Sequence, residues 1–226
     1  MNFINSPPVN ESELLERAFA LSGKSLAEIA DSLGALVPSQ LTHAKGWAGQ
    51  LLEMLLGATA GNLAEPDFQE LGIELKTIPL NHKGLASEST YVCIAPLKNT
   101  AGLSWENSLV KQKLSRVLWI PILRNINNVL GQQQIGIPYL WSPTSAEEAI
   151  LRHDWEDLIE MISLGQLEYI TARHGEWLQI RPKAANAKAL SYGIDEWGNQ
   201  IATLPRGFYL RAKFTRQLLA NKIMPI

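Results

Sequence analysis

The run Val117-Leu118-Trp119-Ile120 restricts the fold of this chain more than any other feature of its sequence. A strand with one face in water alternates apolar and polar residues, whereas an uninterrupted apolar run followed by Pro121 is typical of a strand that is buried on both faces. Such a strand needs other elements packed on each side of its sheet. The run therefore predicts a central strand in an α/β fold.

Further strands are predicted from alternation and from flanking turn residues. Residues 72–80 alternate as a strand and residues 91–96 form a second one, and we expect both to join the apolar run in one mixed sheet. Residues 177–180 and 207–210 predict two late strands, each next to basic or turn residues. The predicted fold is thus a mixed central sheet flanked by helices.

Helices are predicted where a capping residue precedes apolar residues at helical spacing. They run from Asn10 or Ser12 to about Leu21, from the capping box Ser25-Leu26-Ala27-Glu28 to Gly34, from Gly46 to Gly57, from the capping box Ser145-Ala146-Glu147-Glu148 towards Ile162, and from about Thr215 to Asn221. The acids of the fourth helix are assigned to its solvated outer face. The second helix also resembles the opening of a helix-turn-helix, but Leu36-Val37-Pro38-Ser39 interrupts the chain where a recognition helix would continue.

Length and composition exclude several classes of protein. A chain of 226 residues with 46% hydrophobic content can bury a core as one domain or as two closely packed lobes. No apolar run approaches the ~18 residues of a membrane span, and the N-terminal residues lack the order of a signal peptide, so we expect a soluble, cytoplasmic protein. Cys93 is the only cysteine, which excludes an internal disulfide and argues against zinc.

The charge is distributed unevenly along the chain. Residues 181–226 hold eight Lys and Arg side chains against two acids, a net charge of +6, while the first 180 residues hold 12 basic and 20 acidic side chains, a net charge of −8. Such an asymmetry predicts that the C-terminal part faces a polyanion. The alternative is a basic tail whose charge is balanced by folding.

Asp67, Glu74 and Lys76 are the candidate catalytic residues. Glu74 and Lys76 are two residues apart in a predicted strand, so both side chains point to one face. Asp67 would lie on the opposite face of a continuous strand, and the chain must therefore bend between Asp67 and Glu74. Gly72 provides a position where a bend costs little, which makes residues 67–71 the neighbouring arm of a hairpin.

Two carboxylates in one pocket repel each other, so they need a cation between them, and oxygen ligands with open water positions suit Mg²⁺. Bound metal can polarise a phosphate and lower the pKa of its water. Lys76 would orient that water, accept its proton or offset charge on the phosphate, and the sequence leaves these three roles open. Asp, Glu and Lys at this spacing also occur by chance, and the alternative is an ordinary salt-bridged hairpin.

Long blocks of sequence around this motif resemble one enzyme family. Pro66-Asp67-(x6)-Glu74-Leu75-Lys76 looks like the signature of the restriction-endonuclease-like fold, the PD-(D/E)xK nucleases. Longer segments resemble the MutH family of mismatch-repair endonucleases: residues 67–79, 113–121, 170–175, 181–186 and 204–210. The resemblance covers nearly the whole chain after about residue 10.

The resemblance implies a nuclease that cuts the unmethylated strand of double-stranded DNA at GATC sites, 5′ of the G. It implies activation by the MutL protein after MutS has found a mismatch. It also implies a monomer, formed by one endonuclease domain over residues 1–226 with two closely packed lobes around a DNA cleft. The expected cofactor is Mg²⁺, for which Mn²⁺ or Ca²⁺ can substitute in binding.

The resemblance also implies roles for individual residues. Asp67, Glu74 and Lys76 would be catalytic, with Glu53 as a further acid of the metal site and Leu75 as another metal ligand. Lys113 would be an accessory lysine of the active site. The DNA-binding residues would be Lys45, Tyr91, Arg181, Lys183 and Tyr209. Tyr209 would sense the adenine N6-methyl group. Arg181 is equally well interpreted as a phosphate clamp, and Tyr209 as a core aromatic.

Two other functions compete with this one. A restriction-type nuclease of the same fold would cut both strands at GATC and would be expected to dimerise. A non-catalytic DNA-binding protein would use the basic end and a helix-turn-helix, but it would leave the grouping of Glu53, Asp67, Glu74 and Lys76 without a purpose.

Overall fold

The computed structural model of the chain describes residues 6–39, 46–183 and 190–220. The chain divides into two compact units. Unit 1 runs through Glu88 and adds Ser115–Ser142, and unit 2 consists of Ser89–Leu114 and the chain from Pro143 onward. Two lobes were predicted, and their packing as one domain stays a prediction.

Helices and strands alternate irregularly along the described residues. The α-helices are α1 (Glu11–Phe19), α2 (Leu26–Ser32), α3 (Trp47–Leu56), α4 (Leu109–Leu114), α5 (Ser145–Ser163) and α6 (Ala212–Ala220). The strands are β1 (Glu74–Leu80), β2 (Thr90–Ile94), β3 (Val117–Leu123), β4 (Gln134–Ile135), β5 (Tyr139–Trp141), β6 (Leu178–Pro182), β7 (Ser191–Ile194), β8 (Gln200–Thr203) and β9 (Arg206–Leu210). None of the helices in these described ranges is long and apolar enough to cross a membrane.

Unit 1 is built on a mixed sheet whose central strand is β3. Strand β1 pairs with β3 in parallel, and β4 and β5 pair with β3 antiparallel. The first six residues of β3 are buried, as its apolar sequence predicted. Leu118, Ile120 and Ile122 share one core with apolar residues of α1, α2 and α3, so these helices cover that face of the sheet. A mixed sheet flanked by helices is the predicted fold class, and it is consistent with a restriction-endonuclease-like fold.

The helices of unit 1 begin and end where their sequences predict. The Asn10 side chain caps α1 by accepting a hydrogen bond from Glu13 N, and Ser25 and Glu28 form a capping box at α2. Helix α3 ends at Gly57, which has a φ of 84°. The residues after Gly34 are not helical, so α2 is not followed by a recognition helix in the part of the chain described up to residue 39.

Unit 2 contains a three-stranded antiparallel sheet in the order β2-β9-β6 and a separate hairpin, β7-β8. Helix α5 is joined to the first of these sheets by Asp154. Its carboxylate is 3% exposed and accepts hydrogen bonds from the backbone N–H groups of Glu176, Trp177 and Leu178, at 2.7, 2.7 and 2.8 Å. The start of β6 is therefore anchored to the helix by one buried side chain.

Several predicted boundaries and pairings are wrong. The predicted strand 91–96 does not join the sheet of β1 and β3, because as β2 it pairs with β9 in unit 2. Strand β3 continues through Pro121 to Leu123: Pro121 lacks an N–H, but its carbonyl still accepts from Gly136 N at 2.7 Å. Hairpin β7-β8 and the short strands β4 and β5 were not predicted.

Two helices of unit 2 also differ from the prediction. The capping box of α5 is formed by Thr144 and Glu147, one residue before the predicted one, and the buried Asp154 contradicts the placement of all α5 acids on the outer face. Helix α6 begins at Ala212 and not near Thr215. Thr215 is fully buried and donates its hydroxyl to Ala212 O, so it lies inside the helix rather than capping it.

Candidate active site and nucleic-acid interface

Glu74 and Lys76 lie on one face of β1, as their spacing predicts. Glu74 is 1% exposed, and its carboxylate forms an ion pair with the Lys76 ammonium. The backbone of Glu74 is fixed by β3, because Glu74 N donates to Arg116 O at 3.0 Å. A buried carboxylate and an amine thus share one pocket on the strand.

Asp67 is brought to the same strand by a tight turn. Phe68 and Ile73 form an antiparallel bridge, and a 3-10 turn over Gln69–Leu71 lies between them. The turn closes at Gly72, whose φ of 62° lies in the left-handed region that favours glycine. The predicted bend at Gly72 is confirmed, although the neighbouring arm consists of one bridge and not of a strand.

The Asp67 side chain reaches β1 through Leu75. Asp67 Oδ2 accepts a hydrogen bond from Leu75 N at 2.8 Å, while the Asp67 carbonyl accepts from Thr59 N at 2.9 Å and Ala60 N at 3.2 Å. Asp67 is 8% exposed. Three backbone donors therefore hold this residue, and its carboxylate lies against the residue that follows Glu74. We call Asp67, Glu74 and Lys76 the acidic site.

The backbone of Leu75 is directed towards Asp67. Successive residues of a strand direct their N–H and C=O groups to opposite edges. Glu74 faces β3, so Leu75 directs both groups to the other edge of β1, where its N–H meets Asp67. A leucine can bind a metal only through its carbonyl oxygen, and that oxygen points to the edge at which Asp67 lies.

The donors of the acidic site fit a hard divalent cation. Asp67 and Glu74 are two buried carboxylates, Lys76 supplies one positive charge, and carboxylate and carbonyl oxygens are ligands that Mg²⁺ accepts. Among the residues described, no group of three or more His, Cys, Asp or Glu side chains could hold a metal ion. Glu53, half-buried on α3, is therefore not grouped with Asp67 and Glu74 in a three-acid site here.

Two further lysines, Lys113 and Lys45, were predicted to act in the reaction or in DNA binding. Lys113 lies in the last turn of α4 and belongs to unit 2, whereas the acidic site belongs to unit 1. Lys45 lies outside the described residues.

The predicted DNA-binding residues of unit 2 meet on one face of the sheet β2-β9-β6. Tyr91 in β2 pairs with Tyr209 in β9, and Arg181 in β6 pairs with Gly207 in β9. On the other face, Phe208 and Leu210 are buried. Tyr209 is only half-buried, so its interpretation as an ordinary core aromatic is not supported.

These side chains contact one another. The rings of Tyr91 and Tyr209 are edge to face with centroids 5.3 Å apart. Lys183 Nζ lies 3.5 Å from the Tyr91 ring centroid, and Arg181 Cζ lies 5.8 Å from that of Tyr209. We call Tyr91, Arg181, Lys183 and Tyr209 the cationic platform. Aromatic faces and cations together suit the bases and phosphates of a nucleic acid.

Burial and the charge of Arg181 shift the pKa of Tyr209 in opposite directions. Partial burial raises the pKa of the Tyr209 hydroxyl above its ordinary value, and the nearby Arg181 charge lowers it by less. The hydroxyl therefore stays protonated, and remains a hydrogen-bond donor, up to a more alkaline pH than a free tyrosine.

Other basic residues of the C-terminal part are engaged within unit 2. Arg206 pairs with Glu168 at 3.0 Å and Lys213 with Glu176 at 2.8 Å. Arg211 donates to the carbonyls of Ala172 and His174. For Arg206 and Lys213 the alternative of internal charge balance is correct, whereas Arg211 is held by neutral carbonyls and keeps its charge. The excess positive charge is thus reduced to a smaller set that includes Arg181 and Lys183.

Three residues with structural roles were not predicted from the sequence: Asp154, Ser89 and Gly207. Asp154 lies within the apolar stripe of α5, between Leu151 and Leu158, and an acid at a core position of a helix was the signal for it. Ser89 contacts Arg181, and Gly207 makes room for Tyr91: a Cβ on Gly207 would lie 2.8 Å from Tyr91 Cε2. No sequence pattern indicates either role, because each residue meets its partner only through the pairing of strands that are distant in the sequence.

The chain is similar to known proteins over most of its length. Residues 56–154 match the model of a family described as DNA mismatch repair enzyme MutH. The DNA mismatch repair protein MutH of Shewanella oneidensis is 54% identical over 217 residues, which cover 96% of this chain and 97% of that protein. The DNA mismatch repair protein MutH of Yersinia enterocolitica is 51% identical over 219 residues, with coverage of 97% and 96%.

Proposed function

Because this chain belongs to the MutH family of DNA mismatch repair enzymes, we propose that it is a Mg²⁺-dependent endonuclease that nicks the unmethylated strand of DNA at GATC sites, 5′ of the G. The family, predicted from blocks of sequence, is confirmed. The requirement for Mg²⁺, the cleavage at GATC and the choice of the unmethylated strand are proposed here.

One observation carries the proposed chemistry: Asp67 and Glu74 are both buried, the Asp67 carboxylate accepts a hydrogen bond from Leu75 N, and Lys76 neutralises only one of the two negative charges. A buried carboxylate pair is costly unless a cation compensates it. Asp67, Glu74 and the Leu75 carbonyl would hold Mg²⁺, and Glu53 of α3, which is not grouped with them in the described part of this structure, is proposed as a further acid. The bound ion supplies a Lewis acid for the scissile phosphate and a water of lowered pKa.

Lys76 acts beside these ligands and not as one of them. An ammonium has three N–H donors, and the ion pair with Glu74 uses one. As an ammonium, Lys76 orients the attacking water or neutralises charge that grows on the phosphate, and it could take up a proton from that water only after losing one of its own. Lys113 is an accessory lysine of the same reaction.

The cationic platform supports DNA as the substrate. Arg181 would read guanine through two parallel hydrogen bonds, and Lys183 would bind a phosphate, with Lys45 as a further DNA contact. Tyr91 would support Lys183 through the contact with its ring. Tyr209, whose hydroxyl is retained as a donor, would lie against the target adenine and respond to its N6-methyl group.

The cellular setting follows from the family. The enzyme would act as a monomer in the cytoplasm. The MutL protein would activate it after MutS has bound a mismatch. Mn²⁺ or Ca²⁺ would substitute for Mg²⁺ in binding.

Nicking of a supercoiled plasmid tests the proposal. The substrates are a plasmid with one GATC site in unmethylated, hemimethylated and fully methylated form, and the same plasmid without GATC, each with Mg²⁺, with EDTA, and with or without MutL. We expect a single nick in the unmethylated strand, only with Mg²⁺, and faster with MutL.

Each competing function predicts a different product. Linear plasmid formed without a nicked intermediate would indicate a restriction-type nuclease that cuts both strands. Retarded but uncut plasmid under every condition would indicate a non-catalytic DNA-binding protein. Cleavage at the same rate without GATC would reject the proposed site.

A further inference from the structure

A hydroxyl group fixes the orientation of the Arg181 guanidinium. Arg181 Nη1 donates a hydrogen bond to Ser89 Oγ at 2.5 Å, and both residues belong to unit 2. Ser89 lies immediately before β2, so it is anchored by the pairing of Thr90 with Leu210 in β9. The hydroxyl is thus held by the same sheet that carries Arg181.

Arginine has a long, flexible side chain, and Arg181 lies at the surface of unit 2. It is exposed, and an arginine loses considerable rotamer freedom when it is fixed. Its guanidinium has two constraints in this structure: Ser89 holds Nη1, and the Tyr209 ring lies 5.8 Å from Cζ. One contact holds an edge of the planar group and the other places an aromatic ring near it, so together they restrict its orientation.

A defined plane matters for reading a base. A guanidinium recognises guanine by placing two parallel N–H groups in line with O6 and N7, which requires the correct plane as well as the correct position. The Ser89 bond uses one of the five N–H donors of Arg181 and leaves enough for such a pair. An arginine can also bind a phosphate through two N–H groups, but a phosphate does not present the O6 and N7 acceptors in the fixed positions of a base edge.

We propose that Ser89 is a positioning residue for base recognition, which orients Arg181 before DNA binds so that its guanidinium meets the two acceptors of a guanine. The inference rests on the proposed function, in which Arg181 reads the guanine of GATC. Ser89 itself touches no base in this account. Its effect is therefore expected only where Arg181 and the guanine acceptors are both present.

The experiment measures the affinity of the full chain for two duplexes, with Ca²⁺ so that the DNA is not cut. One duplex contains GATC, and the other contains 7-deazaguanine in place of its guanine, which removes only the N7 acceptor. The ratio of the two affinities reports how well the guanine acceptors are read. Ser89→Ala is compared with Ser89→Thr, which keeps the hydroxyl, and with Ser87→Ala, which removes an exposed serine two residues away.

We expect Ser89→Ala to lower this ratio about three- to tenfold, because the free arginine must then be ordered on binding. Ser89→Thr and Ser87→Ala should keep the wild-type ratio. In an Arg181→Ala background, Ser89→Ala should change nothing further. A purely structural role of Ser89 would weaken binding to both duplexes alike and would leave the ratio unchanged.

The outcomes separate the two proposals. If the plasmid without GATC is nicked at the same rate as the plasmid with one site, the proposed function fails and this inference fails with it. If Arg181→Ala abolishes the ratio while Ser89→Ala keeps it, only the role of Ser89 is wrong. The role is also wrong if Ser89→Ala still lowers the ratio in the Arg181→Ala background, or if Arg181→Ala weakens both duplexes equally.

Discussion

The two carboxylates of the acidic site in unit 1 are buried, and Asp67 is held there by the backbone, whereas Arg181 of the cationic platform in unit 2 is exposed and is held by side chains. Asp67 is 8% exposed and bonded to three backbone N–H groups. Arg181 is exposed and is held by a hydroxyl and an aromatic ring. The first arrangement is rigid before any ligand arrives, and the second keeps its polar groups accessible.

The difference matches what each region would have to do. Cleavage needs ligand oxygens in a fixed geometry, so burial and backbone bonds are an advantage. Sequence recognition needs donors that can leave water and meet a base, so exposure is an advantage and orientation must come from neighbouring side chains. Substitutions in the acidic site should therefore alter the reaction rate, and substitutions in the cationic platform should alter which DNA is bound.

The largest effect is expected at the buried carboxylates. Asp67→Asn and Glu74→Gln keep the shape of the site but remove a charged metal ligand, and each should reduce Mg²⁺-dependent nicking by about a thousandfold or more. DNA affinity and the thermal unfolding midpoint should stay near the wild-type values. Glu70→Gln, in the exposed part of the same turn, is the matched control. Full nicking by either site variant would remove these residues from the metal site.

Lys76 should have the next largest effect. Lys76→Ala removes a group that acts on water or phosphate, and nicking should fall about 100- to 10,000-fold. Metal binding, measured by calorimetry, should be largely retained, because an ammonium does not coordinate the ion. Lys83→Ala removes an equal charge from an exposed turn and should leave the rate unchanged. A Lys76→Ala rate near wild type would leave only a structural ion pair.

In the cationic platform, substitution of Arg181 should alter the preference for a sequence, whereas substitution of Lys183 should alter the affinity for all DNA. Arg181→Ala should reduce the preference for GATC over a site with one changed base about 10- to 100-fold. Lys183→Ala should weaken binding to all duplexes alike and reduce the slope of log affinity against log salt by about one. The measurement is a salt titration of both variants on both duplexes. If the two variants behave identically, both residues contact phosphate only.

The smallest effect is expected from the Tyr209 hydroxyl. Tyr209→Phe deletes one hydrogen bond and should change the ratio of nicking rates on unmethylated and methylated DNA about two- to tenfold. Tyr209→Ala, which also opens space for the methyl group, should change it more. The raised pKa of Tyr209 keeps its hydroxyl protonated as pH rises, so the wild-type ratio should not fall between neutral and mildly alkaline pH. An unchanged ratio in both variants would place methyl recognition elsewhere.

Local sequence patterns predicted much of unit 1 and less of unit 2. The apolar run of β3, the caps of α1 and α2 and the bend at Gly72 are properties of short segments, and a short segment is enough to infer them. The partners of β2 could not be inferred, because β9 lies more than a hundred residues further along the chain. Ser89 and Gly207 acquire their roles only through that pairing.

Asp154 has a consequence for how unit 2 opens. Its carboxylate accepts the amide protons of three successive residues, Glu176, Trp177 and Leu178, although only the last of these belongs to a strand. Hydrogen exchange at these three amides requires that the carboxylate be released. The start of β6 should therefore exchange as one cooperative group with α5, and it should stay closed when the far end of this edge strand frays.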